Sequence, residues 1–233
     1  MIPSWSFSKL GDFEKCKFLC WLKHDQKIPE PERPLPKGKT EHANDRGSRI
    51  HDAAEQYVRG TGEFIPELAK FKDHFEKLKR LHDCNRVEME QEWGMSKEWE
   101  IAPWATAWLR LKLDVLVHAS KYEAIVIDHK TGRKFGNEVK HAQQVQLYAL
   151  VTFLRYPELE EVTSEIWYLD TDEITSQTFT RDQSLRFKSS FHKRGLALTS
   201  CDDWPTNANK FTCQWCLYGP NHSGHCPDGV RPA

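Results

Sequence analysis

The chain has 233 residues, 29% of them charged and 39% apolar, with a formal net charge of −1. That length suits one sizeable domain, and the near-zero charge excludes a global positive field as the means of attracting nucleic acid, so any DNA contact has to come from local patches. No apolar run approaches a membrane span, and the opening MIPSWSFSKLGDFEKC lacks the charged head and apolar stretch of a signal peptide, so a cytoplasmic, reducing location with no membrane partner is expected.

Residues 4–23 carry Leu10, Phe13, Cys16 and Cys20 on one stripe, which predicts a helix capped by Ser6 or Ser8. The following KIPEPERPLPKGKT is a proline-rich connector. A second helix is predicted over about 44–59, with Ile50, Ala54 and Tyr57 or Val58 inward. A third spans about 66–82 on Leu68, Phe71, Phe75, Leu78 and Leu81, with Pro66 near its start. The period then changes to two. Strands are predicted at 86–93 and 108–119, the latter with Leu109, Leu111, Leu113, Val115 and Val117 on one face. KYEAIVIDHK follows closely enough to close a hairpin. A helix over about 138–154, strands in EVTSEIWYLD and EITSQTFT, a helix near 181–197 and a cysteine-rich tail complete the chain. The fold class is therefore α/β: a mixed central sheet flanked by helices. One domain over 1–233 is expected, with N-terminal helices in 1–60, the core sheet in 86–180 and the tail in 200–233.

The stretch AIVIDHKTG ends a buried strand on charge, which is costly unless the charge is paired or bound to metal. Asp128 and Lys130 share a face, and hairpin pairing about residues 120–121 sets Asp114 opposite roughly residue 127. Two carboxylates and an ammonium then converge. Close carboxylates repel unless a cation lies between them, and oxygen ligation suits Mg²⁺ or Mn²⁺. An ordinary surface ion pair at a strand end is the competing explanation of these residues alone. On helices, His51 with Glu55 and Gln144 with Tyr148 are spaced four apart.

The ordered set Gly47-x3-His51, Asp114, Asp128-x-Lys130-Thr131-Gly132 and Gln144-x3-Tyr148 resembles the PD-(D/E)XK nuclease superfamily. It looks most like the RecB-like branch, which includes the CRISPR-associated adaptation exonucleases and phage exonucleases. SWSFSKLGDFEKCKF also resembles that branch's first helix, and the likeness spans about residues 4–226. It implies a restriction-endonuclease-like core and a DNA nuclease, most simply an exonuclease acting on ends or single strands. Asp114 and Asp128 would ligate the metal with His51 and the carbonyl of His129, which stands where the branch often has Tyr or Phe. Lys130 would orient or activate the attacking water, and Gln144 and Tyr148 would order the site or touch the DNA backbone. An acid on the first core strand would be Glu90 or Glu92, with Glu92 preferred. A phage or mobile-element role in recombination, repair or degradation fits the resemblance. A catalytically silent nucleic-acid-binding module and a zinc-binding structural protein are the rival classes. Oligomeric state is not legible.

In the tail, Cys213, Cys216 and Cys226 include a Cys-x2-Cys metal knuckle. The resemblance implies a 4Fe–4S cluster held by these three and Cys16, with Cys20 as substitute. The gap before Cys226 is longer than the family's usual spacing, and His222 and His225 inside it leave Zn²⁺ as the alternative. Cys84 and Cys201 read as plain thiols. Trp93, Trp99, Trp104 and Trp108 crowd one region, where core packing is favoured over base stacking. Lys70, Lys72, Lys77, Lys79 and Arg80 read as a solvated helix face, whereas Arg133, Lys134 and Lys140 adjoin the proposed site and are the better DNA-backbone candidates.

Overall fold

The computed structural model describes residues 1–231 apart from 34, 133 and 135, so Arg133 lies outside the described residues. Helix α1 (Phe7–Lys15) starts at Ser6, whose Oγ accepts the Lys9 backbone N–H at 3.3 Å. The single helix predicted over 4–23 is broken at Cys16, which turns extended at φ −163°, ψ 116°. Helix α2 (Lys17–Cys20) restarts there and runs into a π-helical turn at Trp21–Asp25. Helix α3 (Ala43–Val58) buries Ile50, Ala54 and Val58. The third predicted helix divides into a 3₁₀ turn, Pro66–Phe71, and α4 (Lys72–Asp83), which together keep the apolar stripe Leu68, Phe71, Phe75 and Leu78 buried.

Six strands form one sheet: β1 (Val87–Met95), β2 (Ile101–Ala102), β3 (Leu109–His118), β4 (Glu123–Lys130), β5 (Glu161–Tyr168) and β6 (Glu173–Thr180), in the order β2-β1-β3-β4-β5-β6. Of these strands β4 and β5 pair in parallel, and α5 (Glu138–Arg155) provides the crossover that a parallel pair needs. Helix α6 (Arg181–Thr199) opens on a capping box made by Thr180 and Gln183, and α7 (Lys210–Cys213) lies in the tail. The two-residue β2 was not predicted, being too short to show alternation.

Helices α1, α5 and α6 cover one face of the sheet, and α3 and α4 the other. Both faces of the central strands are thus buried. The sequence predicts one face for the odd residues Leu109 to Val117, but the structure divides them. Leu109, Leu111 and Leu113 pack with α1, α5 and α6, whereas Val115 and Val117 pack with α3 and α4. Strand β1 changes sides in the same way, with Trp93 and Met95 in the first layer and Val87 and Met89 in the second. The crossover points are Asp114 and Glu90, the latter in the left-handed region at φ 49°. Glu90 and Asp114 drop out of the β1–β3 ladder at this point. The β3–β4 ladder ends at Val115↔Ile127, while β4–β5 pairing continues to Lys130↔Tyr168. The sheet therefore forks beyond Val115. The edge that β3 loses is partly re-covered by the N-terminal segment: Trp5 donates its N–H to Trp108 O at 2.8 Å and accepts from Arg110 N–H at 2.9 Å.

Candidate active site

A fork strips backbone groups of their ladder partners, and buried backbone groups must find others. The His129 N–H finds the Asp114 carboxylate, donating to Oδ2 at 2.6 Å. The actual register, one residue from the expected one, would set Asp114 directly across from Asp128. Asp114 Oδ1 lies 3.3 Å from His51 Nδ1, presented by α3. Asp128, 4% exposed, lies 2.6 Å from Lys130 Nζ through its Oδ2. Lys130 Nζ donates to Gln144 Oε1 at 3.1 Å, and Gln144 Nε2 donates to the Tyr148 hydroxyl at 2.6 Å. Residues 51, 114, 128, 130, 144 and 148 therefore meet in the fork. Gly47 brings α3 close to the turn after β4: a Cβ there would lie 3.1 Å from Thr131 Oγ1.

One expectation needs correction and another is extended. Glu92, preferred from the sequence, pairs with Lys112 at 2.8 Å on the open surface. Glu90 is the acid level with Asp114, because the register and not the strand parity decides which acid faces the fork. For residue 129 the sequence points to the backbone carbonyl, and the structure adds the side chain. A ring nitrogen of His129 lies within 4.8 Å of the ligand atoms of His51 and Asp114, and these three residues form a potential metal-holding group. Its Nε2 is buried without a hydrogen-bond partner among the described residues.

The electrostatics follow from crowding six ionisable groups into low dielectric. Burial opposes ionisation of Asp114, but the His51 imidazole holds its pKa below the usual carboxylate range. Burial, with Asp114 adding to it, outweighs Lys130 and pushes Asp128 up. Burial disfavours the His51 cation, yet Asp114, Asp128 and Glu90 outweigh it and raise the pKa to about 9. Glu90 rises to about 7 through burial and then Asp114. His129 falls to about 4 through burial, so it is neutral and free to act as a ligand. Lys130 stays a cation because Asp128 overcomes the effect of burial. The set of the Asp114 carboxylate, His51 and the neutral His129 imidazole fits a divalent ion.

Away from the fork, Cys16, Cys213, Cys216 and Cys226 line one cavity between the chain ends. Cys16 reaches it because of the helix break, and the Asn207 N–H donates to its Sγ at 3.3 Å. Cys20 does not line this cavity; it is fully buried, with its thiol directed to Lys9 O at 3.8 Å. His222 and His225 are not among its lining residues either. Trp93, Trp99 and Trp108 are buried; Trp99 and Trp108 tie down to α6 through His192 at 3.1 Å and Thr199 at 3.0 Å. Lys70 and Lys79 bond backbone carbonyls, and Lys134 pairs with Glu173 at 3.4 Å.

A forked mixed sheet with two carboxylates and a lysine at the split defines the restriction-endonuclease-like α/β class. The chain belongs to the PD-(D/E)XK nuclease superfamily, whose family model matches residues 4–220. Nucleases of this superfamily use divalent metal ions. Among solved structures, SSO0001 has the same fold at a TM-score of 0.50 and 12% identity, over 99% of this chain and 89% of that one. A candidate exonuclease from Eubacterium rectale follows at 0.46 and 14%, covering 88% and 84% of the two chains. The alkaline exonuclease LHK-Exo of Laribacter hongkongensis gives 0.35 and 10%, over 85% and 87%. No curated protein matches the sequence. No helix among the described residues is long and apolar enough to cross a membrane.

Proposed function

We propose that the protein is a divalent-metal-dependent DNA exonuclease of the RecB-like branch, acting on DNA ends or single strands inside the cell. Its 233 residues would form one nuclease domain, serving recombination, repair or degradation of DNA in a phage or mobile-element setting. The observation that supports hydrolysis most is that His51, Asp114, Asp128 and Lys130, distant in sequence, share one fork.

In this reading Asp114, Asp128, His51 and His129 hold Mg²⁺ or Mn²⁺. The bound ion would polarise a phosphoryl oxygen and make water a better nucleophile. Lys130, kept protonated by Asp128, stabilises the charge that builds on the phosphoryl group and orients the attacking water. Gln144 fixes the ammonium, and Tyr148 fixes which way the Gln144 amide points. Glu90, with a pKa of about 7, can take up a proton near neutral pH.

In the same reading Cys16, Cys213, Cys216 and Cys226, which line one cavity, would hold a 4Fe–4S cluster, with Zn²⁺ as the alternative. The cluster's role would be structural, joining the α1–α2 break to the tail.

The test is digestion of end-labelled single- and double-stranded DNA with Mn²⁺, wild type beside Asp128→Ala and Lys130→Ala. Wild type should shorten substrates from an end, and each variant should lose at least about a thousand-fold in rate while staying folded. Undiminished cleavage by Lys130→Ala would remove the lysine from the mechanism, and purely internal cuts would make the enzyme an endonuclease.

A further inference from the structure

We propose that the groove running from Tyr148 to Trp104 seats an unpaired DNA strand, with the Trp104 ring as platform for a base and Lys9 and Arg110 as its phosphate contacts. This rests on the nuclease reading above and adds a strand path and a selectivity to it.

The groove encloses about 370 Å³, and its walls include Ser6, Lys9, Trp104, Arg110, Gln144 and Tyr148. That is room for a small ligand or a nucleotide unit. It is continuous with the catalytic residues, because Gln144 in its wall bonds the Lys130 ammonium at 3.1 Å. Its composition is one-sided: cations and aromatics line it, and no acidic residue does among the described residues.

Among the described residues, two of its cations lack anionic partners. Lys9 Nζ has only Ser4 O at 3.3 Å and Ser4 Oγ at 3.4 Å. Arg110 donates to Ala105 O at 3.0 Å and lies over the Trp104 ring at 5.4 Å, while its Nε is buried with no partner. Burial and then repulsion from Arg110 hold the Lys9 ammonium below its usual pKa. Two uncompensated cations that repel each other favour an anion between them. Lys112 is already committed to Glu92.

Trp104 is the exception among the tryptophans of its region. Trp93, Trp99 and Trp108 are buried in the core, whereas Trp104 is half-buried, on a 3₁₀ turn at Trp104–Thr106. Arg110 braces the ring, so stacking a base there costs little further ordering. A duplex keeps both faces of its internal bases covered, so a stacking platform selects unpaired bases.

The test is fluorescence anisotropy of a labelled oligothymidylate and of a blunt duplex of equal length, with Ca²⁺ in place of Mn²⁺ so that nothing is cleaved. Trp104→Ala should bind the single strand about ten- to a hundred-fold more weakly, the size of one base–aromatic stack, and Trp104→Phe should recover most of the loss. The duplex should respond much less. Lys9→Gln should flatten the dependence of log affinity on log salt by about 0.7, the value of one single-strand phosphate contact. If wild type cleaves DNA but Trp104→Ala, shown folded by circular dichroism, binds the single strand as wild type does, the groove assignment is wrong and the nuclease reading stands. If wild type neither binds nor cleaves DNA, both fail.

Discussion

The forked end of the sheet and the cysteine corner are both candidate inorganic centres, but they are built in opposite ways. In the fork, both aspartates already have protein partners: Asp114 has His51 and the His129 N–H, and Asp128 has Lys130. The side chains come from a helix and two strands buried on both faces. The cysteine corner is made of turns. Beyond α6 the only regular element among the described residues is the four-residue α7. The corner is joined to the rest through bonds such as Tyr218 hydroxyl to Ile28 O at 2.7 Å and Asn207 N–H to Cys16. Burial raises the thiols of Cys216 and Cys226, so without a bound group they are neutral and repel nothing, but they also hold nothing. The fork is a site the fold prepares; in the cluster reading proposed above, the bound group would do the preparing at the corner.

The largest effect that would break or sharpen this contrast is expected from Cys216→Ser. It should abolish bound iron, measured by metal analysis and by absorbance near about 400 nm. It should also lower the unfolding midpoint by about 10 °C, the scale of losing a long-loop cross-link in a chain of this size. Mn²⁺ affinity at the fork, measured by calorimetry at low temperature, should stay within about threefold of wild type. Unchanged iron would end the ligand assignment, and a joint loss of Mn²⁺ binding would show that the two regions are one.

A smaller effect is expected from His129→Phe. The ring is already surrounded by aromatics, with Phe75 at 5.3 Å and Trp167 at 5.6 Å, so phenylalanine fits. Imidazole favours borderline ions over Mg²⁺, so the ratio of Mn²⁺ to Mg²⁺ affinity should fall about tenfold by calorimetry. An unchanged ratio would return residue 129 to a backbone role.

The smallest effect is the pH dependence of the metal-free protein. His51 is raised from 6.5 to about 9, so its stabilising contribution is complete below pH 6.5 and is lost as pH rises through 9. Glu90 is raised from 4.5 to about 7, which favours its neutral form in the fold, so stability also declines as pH climbs across that window. The melting temperature should fall by a few degrees between pH 6.5 and 9, and Mn²⁺ should recover more at the upper end, where it no longer competes with protons. A flat or rising profile would mean that His51 does not face Asp114 in solution.

Much of this was legible in the residues because two periodicities, near 3.6 and 2, survive in the chain. The order of helices and strands and the convergence of Asp114, Asp128 and Lys130 follow from spacing, whereas the part of Gln144 and Tyr148 in the site comes from the family resemblance. What failed depends on partners distant in sequence. Glu90 and Glu92 have the same parity, so only cross-strand register separates them. The face switch at Asp114 is invisible because both layers of the core accept leucine and valine. The helix break at Cys16 carries no proline or glycine to announce it. The His129 imidazole matters only because α3 sets His51 beside it, at 5.8 Å between ring centroids.

Gly47 carries a consequence beyond the room it leaves. With 3.1 Å between a would-be Cβ and Thr131 Oγ1, α3 and the end of β4 abut like two leaves of one clasp. Any methyl inserted there is a shim: it would tilt His51 off its companions without touching one of them, and the injury would surface as a loosened grip on the ion rather than as a weaker core.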